Sequence, residues 1–120
     1  MSLKTIRLEL ARSKEFPQGN AGHGYVLKAP LAADGHLDVE AWRRQKDLCT
    51  VRRLRGDREE ERGLLIHTAG RRWAFSYVPD ATDDDEPIFR LDGHVFQTGE
   101  YISITEHDGV ERTFRVAAVT

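Results

Sequence analysis

Cysteine is nearly absent: the 120 residues contain one, Cys49. An internal disulfide is therefore impossible, a cysteine-based zinc site has no second ligand, and a reducing compartment, the cytoplasm, is the expected location. Long apolar runs are missing too, so no segment suits a membrane-spanning helix. The N-terminus carries Lys4 and Arg7 without the apolar stretch that a secretory signal needs. The net charge is only −2 and the pI about 6.2, which removes the whole-chain basic footprint of a nucleic-acid binder.

Catalytic and cofactor signatures are the next absence. None of Ser13, Ser76 and Ser103 sits in a nucleophile elbow of the G-x-S-x-G type. Gly19, Gly22 and Gly24 approach a phosphate loop in composition, but no helix starts behind them. The five histidines show no H-x-H or H-x-x-x-H spacing, so no metal is expected. Asp83-Asp84-Asp85-Glu86 lacks the spaced ligands and central glycine of a calcium loop. No cofactor is implied.

What is present is pattern. Thr5–Leu10 alternates strictly and predicts a strand with Ile6, Leu8 and Leu10 inward. A second strand follows near 24–29, with Tyr25 and Leu27 on one face and Pro30 closing it. One helix is predicted, near 39–46. Asp38 is a favoured N-cap, Glu40 suits the positive end of the helix dipole, and Leu37 and Trp42 stand at the spacing of a hydrophobic staple. That spacing makes Trp42 an anchor onto the sheet. Strands near 49–54, 63–68 and 71–78 come next, with a charged loop over 56–62.

An Ala69-Gly70 turn would set Ile66 against Trp73 and Leu64 against Phe75, and would leave His67 exposed. Short strands near 88–91 and 94–96 precede a last hairpin, 100–106 and 111–119. There the tempting two-residue Asp108-Gly109 turn would put Phe114 and Val116 on the wrong face. A three-residue loop, 107–109, with Gly109 left-handed sets Ile102 against Phe114 instead. The predicted architecture is one mainly β domain: a small rolled sheet or open barrel of about seven to eight antiparallel strands with one short helix. Its expected core is Leu8, Leu10, Leu27, Leu64, Ile66, Phe75, Ile102, Ile104, Phe114 and Val116.

Charge is unevenly spread despite the small total. Residues 43–58 carry a net +5 and residues 80–86 a net −5. The plainest reading is two solvated surfaces. Convergence of Arg43, Arg44, Arg53 and Arg55 would instead make an anion or partner contact, because guanidinium forks match carboxylate and phosphate. The chain's own 80–86 segment ranks first as its partner, then the same segment of a second copy in a homo-oligomer, then an external anion. Nucleic acid ranks last.

Function is legible only as a choice between two classes. The first is a non-catalytic binding or interaction module. The alternative is a small enzyme or ligand-binding barrel with a pocket at the open end of the roll around His94, lined by Trp73, Tyr77, Arg90 and Glu100.

Overall fold

A computed structural model describes residues 3–12, 17, 19–55, 58–68, 72–76, 86–89, 95–106 and 109–120. Eight strands follow in chain order: β1 (Lys4–Leu10), β2 (Asn20–Ala29), β3 (Thr50–Arg55), β4 (Arg58–Thr68), β5 (Arg72–Ser76), β6 (Glu86–Phe89), β7 (Tyr101–Thr105) and β8 (Glu111–Val119). Each pairs antiparallel with the next, and β8 returns to pair with β1, so the rolled sheet closes into an up-and-down barrel. Closure removes every sheet edge. Among the described residues no helix is long and apolar enough to cross a membrane.

Eight strands enclose a lumen just wide enough for side chains to fill. The period-2 alternation supplies them. Ile6, Leu8 and Leu10 of β1, Tyr25 and Leu27 of β2, Phe75 of β5, Ile102 and Ile104 of β7, and Phe114 and Val116 of β8 are all buried. Tyr25 meets Phe114 edge-on at 5.2 Å between ring centroids and lies 5.0 Å from Phe75.

The helix α1 (Val39–Arg44) covers one end of the barrel. The Asp38 carboxylate accepts a hydrogen bond from the Ala41 amide at 3.0 Å, the bond expected of an N-cap. Trp42 anchors the helix by donating from its indole nitrogen to the Leu65 carbonyl at 2.9 Å. Leu37, Trp42 and Phe96 join one buried cluster with the barrel interior. The helix is two residues shorter than its pattern suggests, because the chain tightens into a 3-10 turn, Lys46–Leu48. Such tightening is common at helix C-termini.

Two expectations fail in instructive ways. Observed pairing sets Leu65 against Phe75 and His67 against Trp73, one residue out of the predicted register. Leu64 and Ile66 therefore face outward and are only half-buried, while Leu65 takes the core position. Leu64-Leu65-Ile66 is a continuous aliphatic run, so alternation cannot choose its face; Trp42, bonded to the Leu65 carbonyl, marks the register from outside the strand. His67 is not exposed but lies between Trp73 and Trp42, with ring centroids at 4.5 Å and 5.9 Å. The second failure is the charged loop, which is strand: Arg58 to Arg62 extend the ladder against β3.

The last hairpin follows the predicted register. Ile102 faces Phe114 and Ile104 faces Arg112, and Gly109 has φ of +78°. Gly109→Ala is expected to cost about 1 kcal/mol through left-handed strain alone, since a Cβ there meets nothing within 4 Å. Urea unfolding of the variant checks this; unchanged stability would refute the strained turn.

Candidate functional site

The polar side chains on interior positions collect at the barrel end remote from α1. Alternation puts them there. His23 shares the inward face of β2 with Tyr25, Arg53 follows Val51 on β3, and Arg112 precedes Phe114 on β8. Glu106, just past β7, continues the series of Ile102 and Ile104. His23, Arg53 and Glu106 are buried, and Glu106 is only 3% exposed. The closing hairpin fixes the Glu106 backbone: its amide donates to the Val110 carbonyl and its carbonyl accepts from the Gly109 amide.

Four side chains donate to this one carboxylate. Its Oε2 accepts from the Tyr25 hydroxyl at 2.7 Å, His23 Nε2 at 3.1 Å and Arg53 Nη2 at 3.3 Å. Its Oε1 accepts from Arg112 Nη1 at 3.0 Å. An ionised carboxylate only accepts, so His23 must carry its proton on Nε2. Burial by itself would push the Glu106 carboxyl upward; the hydrogen bonds from His23 and Tyr25 and the nearby charges of His23 and Arg53 outweigh it and bring the pKa down to about 2.

These values limit the chemistry. A carboxylate held near 2 stays ionised at neutral pH and is a poor base there, because general acid–base work needs a pKa near the operating pH. Two guanidiniums beside it repel a cation, which argues against a metal at this end. Fixed donors from β2, β3 and β8 around a permanent charge suit recognition.

The residues proposed from sequence fall in different places. Trp73 is buried at the α1 end, 5.5 Å from Trp42 and edge-on to it. Glu100 is exposed in the turn before β7. Tyr77, Arg90 and His94 lie outside the described residues, as does most of the acidic 80–86 segment. Arg43 and Arg44 are exposed on α1, with Arg43 paired to Glu40 at 2.9 Å. Arg53 points into the barrel and bonds Glu106, so it does not converge with Arg43 and Arg44 on one surface. Only the backbone of Arg55 is described, as the Cα partner of His23 and of Arg58.

Sequence reasoning passed over His23, Tyr25, Glu106 and Arg112 as site residues. The signal was there: each has the in–out parity of an apolar core neighbour, and a charged residue on a core-facing position is the informative exception. Comparison with known proteins adds no identification, as no protein-family model, curated protein or solved structure matches the chain.

Proposed function

We propose that the protein is a non-catalytic binding barrel and that its polar end takes a small anionic ligand. The observation that supports this most is the buried cluster itself. Removing two guanidiniums and a carboxylate from water costs several kcal/mol per ion, and apolar residues of similar volume would serve stability as well or better. Arg53 and Arg112 reach this end from two different strands, so two guanidiniums stand beside one carboxylate there. Planar guanidinium forks recognise carboxylate or phosphate bidentately.

The test is a panel of small carboxylates and phosphates at matched ionic strength, read by the shift in Tm. At least one anion is expected to raise the Tm, since a ligand bound only by the folded state stabilises it. Arg112→Lys keeps the charge but loses the fork, and should weaken that anion's binding at least about ten-fold. A panel in which nothing raises the Tm refutes the reading.

A second reading is self-association through the basic 43–58 and acidic 80–86 segments. It is favoured by a groove at the end of α1 lined by Arg43, Arg44, Gln45, Lys46, Asp47 and Leu48, where Leu48 is 58% exposed. Leu48 gives this groove an apolar contact point, and arginine is among the residues enriched at protein interfaces. Neutralising Asp83, Asp84 and Asp85 together should then lower the mass in solution; an unchanged mass removes this reading.

A further inference from the structure

The polar end is a seat with an occupant already in it. The donors come from β2, β3 and β8: His23 Nε2, the Tyr25 hydroxyl, Arg53 Nη2 and Arg112 Nη1. The acceptor is a side chain carried just past β7. Four donors match in number the lone-pair sites of one ionised carboxylate. They converge on two oxygens, three donors on Oε2 and one on Oε1. A phosphomonoester carries three strong acceptor oxygens and more than one negative charge, so it would have to rebuild a seat set for two oxygens and one charge.

The hairpin pins the Glu106 backbone, whose amide donates to the Val110 carbonyl at 3.1 Å and whose carbonyl accepts from the Gly109 amide at 2.9 Å. The carboxylate hangs from that fixed point on two methylenes, so rotation about side-chain bonds withdraws it while the hairpin stays closed. Access runs past the cations. The Glu106 side chain is wholly buried, but those of Arg53 and Arg112 keep 10% and 13% of their surface exposed. An incoming anion therefore meets a guanidinium before it meets Glu106.

Resting on the anion reading of this end, we propose that the ligand is a small monocarboxylate and that it binds by taking the place of the Glu106 carboxylate. One planar, singly charged group is exchanged for another, and each donor keeps an ionised acceptor. Glu106 is then a competitor tethered at high effective concentration. Affinity is reduced by the fraction of molecules in which the seat stands vacant, so this side chain sets how much ligand the barrel needs.

Acetate labelled with ¹³C at the carboxyl tests the assignment, titrated by NMR at constant ionic strength. Glu106→Ala deletes a carboxylate and one methylene, which is the outline of acetate. The alanine variant should bind acetate at least about ten-fold more tightly than the wild type, and should regain Tm as acetate is added. Formate should restore less because it leaves a void, and propionate less because it overfills the seat. Glu106→Gln keeps the side-chain length and covers the case in which the alanine variant does not fold. It too should bind acetate more tightly than the wild type, since a neutral amide competes less well for two guanidiniums. Arg52→Gln, at an exposed position on the outer wall, should bind acetate as the wild type does, which excludes an effect of bulk charge. Binding by Glu106→Gln no tighter than by the wild type overturns the proposal. A wild type that binds phosphate more tightly than any monocarboxylate leaves the anion reading standing and overturns this assignment alone. A wild type that binds no anion overturns both, even where acetate rescues the alanine variant, because Glu106 then never yields its seat.

Discussion

Replacing Glu106 with alanine is expected to cost about 3–5 kcal/mol of stability at neutral pH, the range for removing one partner of a buried ion pair. The carboxylate is the common acceptor for His23, Tyr25, Arg53 and Arg112. Its loss removes the carboxylate that two guanidiniums share at one barrel end and takes an acceptor from a buried phenol and imidazole. Glu106→Gln should cost less, because the amide oxygen still accepts while the charge is gone. Urea unfolding followed by tryptophan fluorescence ranks the three proteins. Near-wild-type stability of the alanine variant would mean that water reaches the cluster and solvates its charges.

Acid should expose the same interaction. The Glu106 carboxyl moves from an ordinary 4.5 to about 2 on folding. The unfolded chain therefore takes up a proton first as pH falls. Stability from this group is complete above about 4.5 and drains away as pH drops toward 2, on the order of 3 kcal/mol in all. Other carboxylates titrate in the same window, so the informative quantity is the gap between wild type and Glu106→Gln. That gap should be constant from pH 7 to about 5 and narrow below. A gap independent of pH down to 2 would show that the Glu106 charge contributes nothing to folding.

The cluster also shows where sequence reading stops. Strict alternation, as in Thr5–Leu10 or in 100–106, fixes a face because every second residue must avoid water. The final hairpin was legible to the level of register, since only a three-residue loop puts Ile102, Ile104, Phe114 and Val116 on one side. Leu64-Leu65-Ile66 was not legible, because three adjacent aliphatics satisfy either face and a helix twenty residues upstream decides between them. The site was harder still. His23, Arg53, Glu106 and Arg112 come from distant points of the chain, and barrel closure is what brings them together. Their inward parity could be read strand by strand, but their meeting on one carboxylate required the pairing of β8 with β1 and of β2 with β3.

Gly24→Ala is expected to be at least as damaging as loss of a core side chain, about 3 kcal/mol or more, beyond the usual cost of an overpacked side chain because the obstacle is backbone. Gly24 begins the strand predicted near 24–29, and β2 starts four residues earlier, so Gly22 and Gly24 both lie inside it. A Cβ built on Gly24 would stand 1.9 Å from the Leu8 carbonyl oxygen and 3.0 Å from its carbon. The conflict cannot be relieved by a rotamer change; β1 and β2 must part. The register between them jumps at this point, from Glu9 opposite Gly24 to Leu10 opposite Asn20. Close approach followed by a register jump is a usual role for glycine in a bent strand. Here it also sets the site, because His23 immediately precedes it and donates to Glu106. The variant should therefore lose stability and, in the folded fraction, release His23. The loss is measured by urea unfolding, and the release by a change in the His23 ring resonances in NMR. Gly109→Ala is the control, since its penalty comes from left-handed backbone strain and not from contact, and it should be the smaller by about 2 kcal/mol. Equal effects of the two substitutions would mean that β1 does not press on Gly24, and that His23 is held inward by its partners alone.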